Sequence, residues 1–276
     1  MSNVVLQNDQ VTVFESALYR TTTTLVDLGE ALLLVDPNWL PAELAKIRAF
    51  VDSQMQGRPL YLLFTHADYD HILGWKVFPE ANVIASKAFQ QLADKEARIA
   101  DITKFDQEYY IQRSYPIAFP EVDFAIARDG QRLSIGGQEL CFYHAPGHTA
   151  EGIFTVIDSL GLWIAGDYLS NVEFPFVYHS FAAYRGCMQK ARRILEEHPI
   201  RLLVPGHGDV ANSSAEILSR IDASEAYLTA VWEGVQKSED VPLSPLAEAY
   251  PFPGGLQKPH VDNVAQARKE LGVFEG

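Results

Sequence analysis

Apolar residues along the chain fall into two rhythms, one of period two and one near 3.6. Residues 11–19 and 21–26 are rich in β-branched and aromatic side chains, and residues 31–35 continue them after the turn Leu28-Gly29-Glu30. They read as antiparallel strands. The third ends in Asp36-Pro37, where proline halts the ladder and leaves a carboxylate at the strand end. That carboxylate either orients a neighbouring side chain or only forms a turn. Leu44, Ile47, Phe50 and Val51 recur at helical spacing with Pro41 near the start, so residues 41–51 predict a first covering helix. Residues 60–64 read as a short buried strand, 72–75 as the first turn of a helix, 82–85 as a strand, and 86–99 as a helix capped by Ser86.

A second series repeats this order. Residues 124–127, 131–135 and 139–144 predict strands separated by the turn signals Asp129-Gly130 and Gly136-Gly137, and residues 153–157 and 162–165 continue them. Helical patterns resume over 181–198 and 213–235. No low-complexity linker separates the two series, so two sheets packed together with helices outside would bury both sets of faces in one α/β domain over residues 1–276. Residues 222–276 read as a helical extension that covers the pocket, closes the core or makes a homodimer contact. Their proline-containing middle, 242–259, leads to a last amphipathic helix over 261–271. Residues 105–123 keep no period and carry Phe105, Tyr109, Tyr110, Tyr115 and Phe119, an insertion that either lines a substrate pocket or packs on the core.

Composition narrows the partners. The 276 residues are 47% apolar, enough for a large core, and carry a net charge of -14, which argues against nucleic acid and anionic membranes. The amino terminus lacks a charged leader before an apolar core, and no stretch reaches the roughly 18 apolar residues of a spanning helix, so a cytoplasmic protein is expected. Cys141 and Cys187 lack CxxC spacing and read as reduced core residues.

The chemistry concentrates in residues 65–71, Thr-His-Ala-Asp-Tyr-Asp-His, at a strand-to-helix connection. In extended backbone His66 and Asp68 point the same way, and Asp70 and His71 fall where the chain turns into the helix. A chance occurrence has odds on the order of one in a thousand. Crowding four such groups for packing would require a separate desolvated partner for each, whereas one metal ion serves them all. The alternative is a solvated, Asp-rich loop. Three further strand ends place glycine beside a ligand-type residue: Pro146-Gly147-His148-Thr149, Ala165-Gly166-Asp167 and Pro205-Gly206-His207-Gly208.

Taken together, these motifs resemble the metallo-β-lactamase superfamily of metallohydrolases, in that family's order, from the strand ending in Asp36 to Gly208. The resemblance implies a four-layer αββα sandwich with two metals between the sheet edges. It implies that His66, Asp68 and His148 hold the first metal, that Asp70, His71 and His207 hold the second, and that Asp167 bridges them. One position departs from the usual His-x-His-x-Asp-His: Asp68 stands where histidine is commonest. Flavodiiron-type relatives carry Glu there. A harder, anionic ligand shifts preference toward iron or manganese while permitting zinc, the metal expected first.

Such a centre would activate a water for attack on an ester, thioester, lactone, amide or phosphoester of a small molecule, with Asp70 orienting the nucleophile and accepting its proton. No Gly-x-Ser-x-Gly elbow offers a serine mechanism. Two alternatives are a di-iron redox enzyme and a metal-stabilised binding or regulatory protein. Of the remaining histidines, His144 reads as a core residue and His198 as a contact to a helix end. His179 and His260 are candidates to reach the substrate.

Overall fold

The structure is a computed structural model that describes residues 3–37, 39–244, 246–248 and 250–273, so the extreme ends of the expected 1–276 span lie outside the described residues. The first sheet runs in chain order: β1 (Asn3–Gln7), β2 (Val11–Glu15), β3 (Thr22–Asp27), β4 (Leu32–Val35), β5 (Leu60–Leu63), β6 (Asn82–Ser86) and β7 (Phe124–Ile126); β7, read from the sequence with the second series, pairs instead with β6 at the edge of the first sheet. Pairing is antiparallel from β1 to β4 and parallel from β4 to β7. The second sheet runs β12 (Leu202–Pro205), β11 (Leu162–Gly166), β10 (Ile153–Ile157), β9 (Gln138–His144) and β8 (Gln131–Ile135), with only β11 and β12 parallel.

Period-two alternation sorts side chains between layers. Leu33 and Val35 of β4 share the layer between the sheets with Leu140 and Phe142 of β9. Leu32 and Leu34 face the other way, beneath Leu44, Ile47 and Val51 of α1 (Pro41–Met55). In β11, Leu162 and Ile164 join the inter-sheet layer. Trp163 and Ala165 pack under Met188 of α5 (Phe181–Glu197) and Leu228 of α6 (Ser214–Gln236). The result is the expected αββα sandwich. Trp163 and Phe154 are fully buried and meet edge to face at 5.6 Å; truncating either to alanine would cost about 3–5 kcal/mol.

Several boundaries differ from the sequence expectation. The strand expected over 11–19 stops at Glu15, because Tyr19 and Arg20 both adopt left-handed backbone, φ 57° and 52°. This corner pairs Thr21 with His207 of the other sheet. The metal motif enters only a single turn, α2 (Tyr69–Ile72), followed by a 3₁₀ turn at Trp75–Val77. The helix expected over 86–99 is broken. Ser86 caps α3 (Lys87–Gln90) by accepting from Phe89 N at 2.9 Å, and α4 (Lys95–Glu108) starts afresh and takes in Phe105. Helix α6 runs through residue 222, where the helical extension was expected to begin, and the last helix, α7 (Gln257–Leu271), starts four residues before 261. Pro259 lies in its first turn, where a missing N–H costs nothing. Cys141 and Cys187 are buried free thiols. No helix among the described residues is long and apolar enough to cross a membrane.

Candidate metal centre

Strand ends from both sheets bring seven side chains together. Asp167, just beyond β11, is central: its Oδ2 lies 3.4 Å from His66 Nε2, 3.2 Å from His148 Nε2 and 3.3 Å from His207 Nε2, and its Oδ1 lies 3.1 Å from His71 Nε2. Asp68 Oδ2 is 3.2 Å from His148 Nε2 and 3.8 Å from His66 Nε2. Asp70 Oδ2 is 3.6 Å from His71 Nε2 and 3.5 Å from His207 Nε2. His66, Asp68, His148 and Asp167 thus form one group whose atoms can share an ion, and Asp70, His71 and His207 form another. Glycine is required where the chain passes closest, since a Cβ on Gly206 would sit 2.1 Å from Asp167 Oδ1.

The far side of each imidazole is occupied, which turns every Nε2 inward. His148 Nδ1 faces the Phe176 carbonyl at 2.9 Å, and His207 Nδ1 faces the Tyr19 carbonyl at 2.8 Å. His66 Nδ1 lies 3.0 Å from Thr65 Oγ1, and His71 Nδ1 lies 3.0 Å from Asp36 Oδ2. Asp36 also accepts from Thr65 N at 2.9 Å and Thr65 Oγ1 at 2.5 Å. Its oxygens are therefore committed, and it orients His71 rather than merely making a turn. It holds that place in left-handed backbone, φ 44°. Thr21 Oγ1 donates to Asp70 Oδ2 at 3.1 Å.

His66 Nε2 and Asp167 Oδ1 are buried without a hydrogen bond of good geometry, although Oδ1 lies 3.1 Å from His71 Nε2. Such orphaned groups cost about 1–3 kcal/mol each in an apolar setting, and a cation among them satisfies both, so the donor set fits divalent metal. The electrostatics agree. Burial disfavours charge on Asp68 and Asp167, but the His148 hydrogen bond and His66 at the first, and His207, His71 and His66 at the second, hold both carboxyls well below their usual range. Burial likewise opposes charge on the imidazoles, yet Asp167 and its neighbours raise His71 and His148 well above the ordinary value. His207, facing Glu173 and Asp167, is pushed up to about 10. Without metal, protons occupy the place a cation would take.

A cavity of about 630 Å³ opens over the centre, with Asp68, Asp70, His148, Asp167 and His207 on its floor. Its walls are largely aromatic, Tyr19, Tyr69, Phe176, Tyr178 and Phe252, with Glu173 and Lys258 among them. The walls come from the corner at residues 17–20, from α2, from the 168–180 loop and from the carboxy-terminal segment. Residues 105–123 do not line this cavity; Phe105 packs on Trp39 and Tyr69 at 4.9 and 5.8 Å, the core-packing alternative. Sequence reasoning missed Glu173, whose carboxyl is raised above its ordinary value by burial and by Asp167 and Asp70, against the pull of His207 and His148. It also missed Thr21, Arg98 and Asn263, single residues without a motif.

The structure does not bring His179 or His260 to the centre. His260 is buried between helices, Nδ1 3.0 Å from Tyr227 Oη and Nε2 2.7 Å from the Val241 carbonyl. His179 lies on the surface and offers its backbone carbonyl to Gln266. His198 ends α5, its backbone N–H donating to the Ile194 carbonyl at 3.0 Å, while its ring meets side chains: Nδ1 faces Asp158 Oδ1 at 2.6 Å and Nε2 faces Tyr143 Oη at 2.7 Å. His144 sits half-buried, away from the ligands.

Comparisons with known proteins agree with the fold. The metallo-beta-lactamase superfamily profile matches residues 18–220. A stereoselective inverting sec-alkylsulfatase from Pseudomonas sp. superposes with a TM-score of 0.70 at 13% identity, over 100% of this chain and 51% of its own. The chain thus spans about half the length of that enzyme. A metallo-beta-lactamase family protein from Thermus thermophilus gives 0.64 at 18% identity, over 98% of this chain and 92% of its own. A metallo-beta-lactamase from Pontibacter korlensis gives 0.55 at 17% identity, over 80% and 99%. At these identities the likeness is one of fold. No curated protein matches the sequence significantly. From the profile match over most of its length, the chain belongs to the metallo-beta-lactamase superfamily, whose members are generally metal-dependent hydrolases.

Proposed function

We propose that the chain is a binuclear metal-dependent hydrolase that cleaves an ester, thioester, lactone, amide or phosphoester bond in a small molecule with an apolar or aromatic portion. The observation that carries this reading is Asp167, one buried carboxylate within 3.4 Å of four imidazole nitrogens contributed by both groups. His66, Asp68 and His148 would hold one ion and Asp70, His71 and His207 the other, with Asp167 lying between the two sets. Four imidazoles suit zinc, and three carboxylates leave iron or manganese acceptable. When bound, the two ions supply a water acidic enough to ionise near neutrality and positive charge beside the oxygen that gains charge during attack.

The chain's own groups do the rest. Thr21 Oγ1, donating to Asp70 Oδ2, fixes the carboxylate that orients the nucleophile and accepts its proton. Glu173, on the cavity wall, holds a proton more readily than an exposed glutamate and delivers it to the leaving group. Tyr19, Tyr69, Phe176 and Phe252 take the apolar part of the substrate and exclude water. The test is a panel of carboxyl esters, thioesters, lactones, amides, phosphoesters and, given the fold likeness to an alkylsulfatase, sulfate esters. One class is expected to turn over, to stop on chelation and to resume on adding zinc or manganese. Fully loaded protein that turns over none of them overturns the proposal.

A further inference from the structure

Asp68, the residue that departs from the superfamily's usual motif, is not alone. Arg98, in the first turn of α4, donates through Nη1 to Asp68 Oδ1 at 3.1 Å and to the Ala67 carbonyl at 3.0 Å. Its Nε donates to Asp94 Oδ2 at 3.2 Å, and its Nη2 lies 3.7 Å from Oε1 of the buried Glu151. Glu151 Oε1 in turn accepts from Ala67 N at 3.2 Å. Arg98 and Glu151 therefore grip residues 67–68 from both sides. The other Asp68 oxygen, Oδ2, points toward His148 and His66 at 3.2 and 3.8 Å.

We propose that Arg98 is a positioning residue that occupies Asp68 Oδ1, so that Asp68 offers a metal one oxygen, Oδ2, where an imidazole would offer one nitrogen. The inference rests on the binuclear reading above. A carboxylate differs from imidazole in two ways that matter here: it has two equivalent donor oxygens and can chelate through both, and it carries charge. Arg98 removes the first difference by binding one oxygen through Nη1, while Asp94 and Glu151 engage Nε and Nη2 and hold the planar guanidinium in place. It moderates the second, although Asp94 and Glu151 share the cation. No other departure is needed, since His66, His148 and Asp167 stay as the resemblance places them. Arg98 reaches no reacting atom and lies outside the cavity wall.

The test compares wild type, Arg98→Met, Arg98→Lys, Asp68→His and the Asp68→His, Arg98→Met double variant. Metal content is read by elemental analysis, zinc affinity by competition with a chromophoric chelator, and coordination by the visible spectrum of the cobalt-loaded protein. Wild type should bind two ions. Arg98→Met should weaken one of them about 10–100-fold, as loss of a group that orients a ligand generally does, and shift the cobalt spectrum. Arg98→Lys, which keeps charge but not the fork, should fall between. In the Asp68→His background, removing Arg98 should change affinity less than about threefold, because a ring nitrogen needs no capping. Unchanged affinity and spectrum in Arg98→Met and Arg98→Lys overturn the inference alone. An equal loss in both backgrounds also overturns it, by reducing Arg98 to an anchor for α4. A wild type that binds no metal overturns the binuclear reading and this inference with it.

Discussion

Asp167 and the imidazoles around it compete for the same thing, positive charge, and protons and metal ions are its two sources. In metal-free protein His207 is raised from 6.5 to about 10, so it contributes stability that is fully present below pH 6.5 and lost as pH rises toward about 10. Asp68 and Asp167 are lowered from 3.8, so their contribution is present above pH 3.8 and lost as pH falls below it. Thermal unfolding in chelator should therefore show declining stability from pH 6.5 to 10, and zinc should flatten that limb because it binds neutral imidazole. Metal-free stability that rises over this range would contradict the assignment. Glu173→Gln should lower kcat about 100-fold with metal content unchanged, the size expected for a lost proton donor; wild-type turnover would remove Glu173 from the mechanism. The candidate ligands were legible because four of seven consecutive residues are His or Asp, and because glycine flanks His148, Asp167 and His207. Arg98 and Glu173 were not, because each acts singly from an ordinary helix or loop and its proximity is created only by the fold.

Among the elements, α7 explains the role of the carboxy-terminal segment. Asn263, Gln266 and Glu270 recur at i, i+3 and i+7, one helix face, and all bind the chain between 175 and 182. Asn263 accepts from Val177 N at 2.8 Å and donates to the Pro175 carbonyl at 2.7 Å, gripping both sides of Phe176, whose own carbonyl faces His148 Nδ1. Glu270 Oε1 accepts from Phe181 N at 2.7 Å, at the start of α5. Asn263→Ala leaves a buried N–H and carbonyl without partners and should cost about 3 kcal/mol. It should also speed metal loss through the loosened His148; denaturant unfolding and metal-release kinetics check both, and unchanged release would confine Asn263 to stability. The sequence pattern predicts an amphipathic helix here, but polar residues on its buried face read as solvent-facing until the loop they bind is in place. Strand alternation, by contrast, transfers directly, as in Leu32 to Val35, whose side chains divide between the two layers. The strand β1 was missed because it is short and residues 4–7 of it are largely exposed.

At the scale of the whole molecule, the centre lies where the two sheets meet, and backbone ties hold that edge closed. Thr22 N donates to the Gly206 carbonyl at 2.7 Å and Thr22 Oγ1 to the Pro205 carbonyl at 2.6 Å, joining β3 to the end of β12 across a long stretch of sequence. Apart from β1 and the break between α3 and α4, the order of strands and helices was readable from periodicity, and so was the sandwich. Which strand ends would meet was not, because long-range pairing leaves no local pattern. A metal bound only by the folded state should stabilise by about 4 kcal/mol at a thousandfold excess over its Kd, so chelation should lower the unfolding temperature of natively purified protein. An unfolding temperature indifferent to chelator would indicate that the ligands converge without needing an ion. The most direct measurement is an anomalous difference map at the zinc edge from crystals of zinc-loaded protein. Two peaks about 3.5–4 Å apart, one against His66, Asp68 and His148 and one against Asp70, His71 and His207, with Asp167 between them, are the predicted result. A single peak, or peaks elsewhere with these seven side chains left bare, would contradict the account.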